Sequence, residues 1–476
     1  MEGLEAVELR LNEVLYDNLS FRLDSEYFFK EYIKEMLLLD KKLNKELSNL
    51  TSKIDVGFVG SMVNQYTNNG VTLLQTKNIG TIFINENNFI KINDDFHNKL
   101  NKSKIYKEDI LIARSGSFGK ASIYLQDEII NSSDIIIIKA KDVNPYYLTV
   151  FLNTEYGKNQ LFRFSSGGVQ GHVNLTILEK LNVAILSNEF QNQIESLVKQ
   201  SYQKLQTSKE LYTQAEDILL DELCLKDFQP QQEAVNIKSF KNSFVETGRL
   251  DAEYYQPKYE EIIERVKSKE FENLGNLVDI KKSIEPGTDN YSHDGVEFVR
   301  VSNITKFGIS KSDIRIPYEF FNKNHSLDKL LPTDDTILLS KDGTVGIAYK
   351  IKGQTNIVTS GALLHLTIKK SLKNELLPEY LTLVLNSKIV SLQAERDAGG
   401  SIIQHWKPSE IKEVIIPKID ISIQQQIEEK VQQSFKLKKQ SEELLEVAKR
   451  SVEIAIEQDE DVALEYIHTK TVEFES

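Results

Sequence analysis

The chain has 476 residues and one cysteine, Cys224. A disulfide framework or a cysteine-rich zinc site is therefore excluded. So low a count suits a reducing compartment, and a cytoplasmic location is expected. No run of 18 apolar residues occurs, so no membrane span is expected. The opening Met1-Glu2-Gly3-Leu4-Glu5 has no basic stretch and no apolar one, so no leader is expected either. The seven histidines are scattered, without His-Glu-x-x-His or another paired spacing, so no metal site is expected. No Gly-Lys-Ser/Thr ending completes a phosphate loop, and no serine carries its own base. Asp334-Asp335 lacks the downstream Glu-x-Lys of a common nuclease core. No catalytic residue is expected.

The net charge is −13, which argues against indiscriminate binding to a polyanion. Its distribution softens that argument. Residues 189–226 carry a net −3 and residues 424–476 a net −6, leaving −4 over the other 385 residues. The negative charge thus sits mainly on two segments with helical patterning, where water would solvate it. The remainder is free to present a local positive face.

What the chain does contain is itself, twice. Glu5-Ala6-Val7 returns as Glu233-Ala234-Val235, and Arg22-Leu23-Asp24-Ser25-Glu26-Tyr27-Phe28 as Arg249-Leu250-Asp251-Ala252-Glu253-Tyr254-Tyr255. Gly116-Ser117-Phe118-Gly119 returns as Gly343-Thr344-Val345-Gly346, and Gln191-Asn192-Gln193-Ile194 as Gln424-Gln425-Gln426-Ile427. The offset drifts only from 227 to 233, so two copies of one unit fill the chain. Two copies can be placed in pseudo-twofold fashion, which suits a two-part target.

Each copy ends in a long helical pattern. The first has a heptad stripe of Ile194, Val198, Ser201, Leu205, Ser208, Tyr212, Ala215 and Leu219. The second repeats it as Ile427, Val431, Ser434, Lys438, Ser441, Leu445, Ala448 and Val452. The Ile-Ser-Ser-Ala row is the same in both. Matching seams with small residues predict that the two helices pack on each other, each a rod of roughly 54 Å for about 36 residues. Lys438 in an otherwise apolar row is expected to set register at some cost in stability.

Before each helix lie short β-rich runs. They are Thr72–Thr76, Ile110–Ala113, Ile135–Lys139 and Leu181–Leu186, then Phe298–Val301, Thr336–Ser340, Leu363–Ile368 and Val414–Pro417. Helical patterns cover 25–50, 145–162, 254–269 and 378–394. Strands and helices without regular alternation predict an α+β fold. The predicted boundaries are a globular domain at 1–187, a helix at 188–226 and a linker at 227–245. A second domain at 246–421, a helix at 422–458 and an acidic tail at 459–476 follow.

Three motifs are candidates for chemistry. Asn144-Pro145-Tyr146-Tyr147 superficially resembles the Asn-Pro-Pro-Tyr motif of amino-methyltransferases, but it lacks the second proline and reads as a helix start. The glycine turns at 114–119 and 341–346 each follow an apolar strand and join a cation, a hydroxyl and flexible backbone. They suit a phosphate or a base edge, or are tight turns with incidental charge. The loops 167–172 and 399–406 bring glycines, glutamine and histidine, which can contact bases, or they are plain connections.

In order, duplication and helix endings the chain resembles the specificity subunits of type I restriction–modification systems. The carrying segments are Arg-Leu-Asp-Ala-Glu-Tyr-Tyr-Gln-Pro-Lys-Tyr (249–259), Asp-Ile-Leu-Ile-Ala-Arg-Ser-Gly-Ser-Phe-Gly (109–119) and Leu-Asn-Val-Ala-Ile-Leu (181–186) before a Gln-x-Gln-Ile helix. The resemblance covers about residues 5–458. It implies two tandem target recognition domains, each followed by a long helix. The helices would form an antiparallel coiled coil with pseudo-twofold symmetry that sets the gap between two DNA half-sites. It also implies double-stranded DNA, two methyltransferase subunits and restriction subunits as partners. S-adenosylmethionine, ATP and magnesium would be held by those partners and not by this chain. The segments 57–71 and 282–295 diverge, so the expected target is asymmetric.

The candidate DNA-binding residues are Lys77, Asn78, Arg114, Ser115, Ser117, Lys120, Gln170, His172 and Asn174 in the first copy. In the second they are Arg300, Ser302, Asn303, Lys341, Thr344, Gln404, His405 and Lys407. The junctions differ, with Leu186-Ser187 against Pro417-Lys418. The acidic total predicts weak binding to DNA without the partners. Two other classes compete with this reading. A stand-alone nuclease or methyltransferase would need motifs that the chain lacks. A non-DNA coiled-coil scaffold joining two ligand-binding domains fits the acidic charge.

Overall fold

The computed structural model describes residues 8–15, 18, 22–114, 119–164, 175–229, 235–324, 326–399 and 404–475. The chain divides into two compact units, Met1–Gln206 with Lys438–Ser476, and Thr207–Leu437. Each holds one α+β domain and part of both long helices.

The first unit is built on a five-stranded sheet in the order Thr51–Val56, Ile135–Ala140, Ile110–Ala113, Ala121–Ile123, Ile82–Phe83. The isoleucine run 135–138 explains how this sheet sits. Side chains alternate across a strand. Ile136 and Ile138 enter a core with the helices, while Ile135 and Ile137 enter a second core with Leu74, Ile79 and Ile105. An unbroken apolar run is what a strand covered on both faces requires. The second face is covered by another five-stranded sheet, ordered Tyr66–Thr67, Ile90–Ile92, Val71–Leu74, Ile130–Ser132, Lys104–Ile105.

The second unit repeats the first sheet with four strands, Val278–Lys282, Leu363–Ile368, Ile337–Ser340 and Ala348–Lys350. Its second sheet is smaller, with Arg315–Ile316, Val296–Val299 and Ile357–Thr359, plus the hairpin Ile304–Thr305 with Gly308–Ile309. The first sheets share four strands in the same order, and the second sheets share a parallel central pair, Val71–Leu74 with Ile130–Ser132 and Val296–Val299 with Ile357–Thr359, but differ in extent.

All four helical patterns run shorter than the sequence suggests, the 254–269 stretch being α-helix over Pro257–Lys267. In the 25–50 stretch only Lys30–Asp40 is α-helix, followed by the strand Asn44–Glu46, which pairs with Asn182–Ala184. The 145–162 stretch is two helices, Pro145–Asn153 and Glu155–Phe164. The 378–394 stretch is likewise two, Pro378–Asn386 and Lys388–Asp397. Both breaks have one cause. Thr154 and Ser387 turn to extended backbone, and each hydroxyl donates to a carbonyl three residues back, Phe151 and Val384, at 2.6 Å.

The long helices are Asn188–Glu222 and Ile421–Glu457, of 35 and 37 residues. In the first unit they run antiparallel, with Ser201 against Ser441 and Lys204 against Gln440. In the second unit Ser208 faces Ser434 and Gln214 faces Lys430, again antiparallel. The serine hydroxyls donate across to the helix carbonyls, Ser201 to Ser441 at 2.8 Å, and Ser208 and Ser434 to each other at 2.7 Å. Small side chains let the axes come close enough for this. Most of the predicted seam is buried: Ile194, Val198, Ser201, Ser208, Tyr212, Ala215, Leu219, Ile427, Val431, Ser434, Ser441, Ala448 and Val452. Leu205 and Leu445 are half-buried. Lys438 departs from expectation. Its side chain is 30% exposed and pairs with Glu442 at 2.6 Å, on the flank of the seam. A 3.6-residue helix drifts relative to a strict seven-residue row. The buried line accordingly passes through Leu444, Val447 and Ser451.

The segment predicted as an acidic tail forms the helix Glu460–Glu475. Ala463 and Ile467 enter the first unit's core, and Glu460 accepts from the Ser187 amide at 3.0 Å at the start of the first long helix. Asp461, Glu465 and Glu473 face water while a sparse apolar stripe is buried, a pattern that composition alone reads as a tail. Among the described residues no helix is long and apolar enough to cross a membrane.

Candidate nucleic-acid interface

The candidate residues fall on three repeated features. The first is a short turn after the strands Val71–Leu74 and Val296–Val299. Asn78 is only 1% exposed. Its side chain accepts from the Gln75 amide at 3.0 Å and donates to the Asn85 and Asn87 carbonyls at 3.1 Å. Asn303 repeats the first bond, accepting from the Arg300 amide at 3.1 Å. Both asparagines hold the turn, and Asn78 is out of reach of a base edge. Lys77, Arg300 and Ser302 are exposed beside them.

The second and third features are the two glycine-bearing loops. In the first unit Arg114 pairs with Asp134 at 3.0 Å, and Lys120 is exposed. Ser115, Ser117, Gln170, His172 and Asn174 lie outside the described residues. In the second unit the structure brings both loops together. Asp342–Gly343 pairs with Gln404–His405 as a short antiparallel ladder. The Trp406 amide donates to the Lys341 carbonyl at 2.8 Å, and the buried Trp406 ring anchors the loop in the core. Gly343 and Gly346 sit at φ 76° and 83°, a region that favours glycine. Thr344, Gln404, His405 and Lys407 are all exposed.

Asp342 was missed by sequence reasoning. It joins the two loops, contacting Lys341 Nζ with one oxygen and His405 Nδ1 with the other at 2.8 Å. Burial pushes its carboxyl up, but the bonds to Lys341 and His405 outweigh this and hold it below the usual range. His405, 63% exposed, thus has one ring nitrogen tied and the other free to face solvent. Only the pairing of two loops about 60 residues apart exposes this role, and no local spacing signals it.

The repeated Arg-Leu-Asp-x-Glu-Tyr segment is part of the frame. Arg22 grips Asp24, and Arg249 grips Asp251, each through two nitrogens. Tyr27 and Tyr254 each lie under two guanidinium groups, from Arg22 and Arg163 and from Arg249 and Arg396. The arginines hold Asp24 and Asp251 below the ordinary carboxylate range. Asn144 caps the helix Pro145–Asn153, accepting from the Tyr146 and Tyr147 amides, which agrees with a helix start.

The long helices are tied to their domains by one shared glutamine, Gln191 and Gln424 accepting from the Asn144 and Leu377 amides at 2.9 and 3.0 Å, and otherwise by unlike groups. In the first unit Asn144 donates to Glu195 of the long helix at 2.5 Å, while the Tyr146 hydroxyl donates to Glu108 within the domain at 3.2 Å. In the second unit Glu379 stands where Tyr146 did. Lys350 bridges Glu379 at 2.9 Å and Asp335 at 3.0 Å, and Gln432 bridges Glu379 and Glu428. Burial, then the hydrogen bond and charge of Glu379, push Glu428 up to about 7. Among the described residues no group of His, Cys, Asp or Glu is arranged to hold a metal ion.

A family model for the type I restriction modification DNA specificity domain matches residues 33–217. This stretch, with both sheets of the first unit and most of the first long helix, is a type I restriction–modification DNA specificity domain. No curated protein matches the chain. Among solved structures, the chain is similar to a type I restriction–modification S subunit from M. genitalium. The identity is 13%, the coverage 86% of this chain and 94% of that one, and the TM-score 0.40. It is also similar to the HsdS subunit from Thermoanaerobacter tengcongensis, with 13% identity, coverage of 88% and 97%, and a TM-score of 0.28.

Proposed function

We propose that the chain is the specificity subunit of a type I restriction–modification complex. Its two domains each read one half of a gapped, asymmetric DNA target, and its long helices set the gap. The observation that carries this reading is a domain matching the specificity-domain model, followed by a second domain on the same frame whose second sheet differs in extent. A shared frame serves a shared task, and the strands and loops that differ around it serve two different half-sites. Helices of about 52 and 55 Å exceed one DNA turn of about 34–36 Å, so a gap between half-sites follows.

Two methyltransferase subunits dock on the chain, and restriction subunits join them. N6-adenine methylation from S-adenosylmethionine, and ATP- and magnesium-dependent cleavage, belong to those partners. The exposed Lys77, Lys120, Arg300 and Lys407, with the His405 hairpin, are placed toward DNA in this reading. Phosphate contacts of this kind position a protein without specifying sequence.

The test is methylome sequencing of cells expressing the chain with a partner adenine methyltransferase subunit, against cells expressing the partner alone. A new gapped motif methylated on both strands is expected. A stable complex that yields no new motif moves the function to a scaffold without DNA specificity.

A further inference from the structure

Residues common to both copies cannot distinguish one half-site from the other. What distinguishes them must lie where the frames diverge. In the first unit, the end of the strand Thr51–Val56 and the turn after the helix Asp94–Lys99 enclose a groove of about 370 Å³. Phe58 and Val59 line one side, and Lys99, Asn101 and Lys102 line the other. Among the described residues no acidic side chain lines it, in a chain of net charge −13. Asp55 lies behind it, paired with Lys102 at 2.8 Å, and Asp94 and Asp95 start the helix whose far end carries Lys99. Phe58 is braced edge-on by Phe96, with ring centroids 5.8 Å apart. Val59 is 64% exposed at the lip.

The second unit has a different residue at that lip. Phe58 bridges Ser133, and Ile284 bridges Ser360 in the same parallel sense. Val59 and Glu285, the residues that follow, therefore occupy equivalent places. Glu285 is exposed and lies over Gly361. An apolar side chain suits the thymine methyl, asparagine pairs with adenine through two bonds, and a carboxylate accepts from cytosine N4.

We infer that this groove is where the first unit reads base edges. Val59 and Asn101 would favour an A·T pair in the first half-site, and Glu285 a C·G pair in the second. The inference rests on the specificity-subunit reading. It adds the side chains that read and the base pairs they favour. The groove's positive rim and the lack of acids fit duplex DNA as occupant.

The test compares methylomes of Val59→Glu, Asn101→Ala and Glu285→Val with wild type, each expressed with the methyltransferase subunit. Val59→Glu and Asn101→Ala should change one position of one half-site and leave the gap and the other half-site intact. Methylation of the original site should fall on the order of tenfold or more. Glu285→Val should do the same to the other half-site. Unchanged motifs, or equal loss in both half-sites, would overturn the inference. A wild type without any gapped motif would instead sink the underlying function.

Lys99→Gln, at an exposed position with no core contact to lose, gives a second readout. Fluorescence anisotropy with the complex and a labelled duplex carrying the wild-type motif should show a salt slope lower by about one. An unchanged slope would remove the groove from the DNA.

Discussion

The serine seam offers a quantitative test of how the long helices are held. Ser201 is fully buried, its hydroxyl 2.8 Å from both the Ser441 carbonyl and the Ser441 hydroxyl. Leucine at 201 adds two heavy atoms where the axes are close enough for hydroxyl-to-backbone bonds. Overpacking costs about 1–3 kcal/mol. Leaving the Ser441 hydroxyl without its partner costs about 1–3 kcal/mol more. Ser201→Leu should therefore lose about 2–6 kcal/mol, a large share of the roughly 5–15 kcal/mol that holds a folded domain. Ser201→Ala, which leaves the Ser441 hydroxyl unpaired without overpacking, should lose about 1–3 kcal/mol. The double variant Ser201→Ala with Ser441→Ala should lose less than the two singles added, because both partners leave together. Ser208 and Ser434 allow the same cycle in the second unit. Urea unfolding followed by circular dichroism at 222 nm reads all of these. A Ser201→Leu protein with the wild-type midpoint, or alanine effects that simply add, would refute the close-approach account.

Three other outcomes are expected. Burial, with Glu31, Glu155 and Glu453 nearby, raises Glu35 from 4.5 to about 7 against the pull of the Asn159 amide. The folded state then holds a proton that the unfolded chain releases, so stability falls as pH rises from about 4.5 through about 7. Glu35→Gln should gain on wild type across that window in urea midpoints and level off above it, and a constant difference would contradict the assignment. Asn78→Ala strands two carbonyls and an amide, and should cost about 2–3 kcal/mol by the same unfolding assay, with no change wrong for a turn staple. Truncation after Glu457 should speed hydrogen exchange in the first unit's core and spare the second, because Ala463 and Ile467 leave that core. Equal exchange in the truncated and full-length proteins would mean the segment is a tail after all.

The repeat, the α+β class and the two long helices were legible because they rest on periodicity. Ile-Ser-Ser-Ala recurs at the same spacing, and a run of β-branched residues such as Ile135–Ile138 favours a strand. Helix breaks at Thr154 and Ser387 were not legible, since one hydroxyl-to-carbonyl bond outweighs an otherwise continuous pattern. The helix at Glu460–Glu475 was hidden by its charge. The candidate site was half legible. Residue type drew attention equally to Asn78, which is spent on its own loop, and to His405, which is exposed. Asp342 and Val59 carried no signal, because their roles arise from pairing across the fold and from a difference between copies that only aligned strands reveal.

We propose that this one chain specifies a two-part DNA target. Methylome sequencing with matched deletions of seven residues from both long helices tests it most directly. Those deletions should change the length of the gap and leave both half-site sequences as they were. Altered half-sites with an unchanged gap, or no gapped motif from a stably assembled complex, would contradict the account.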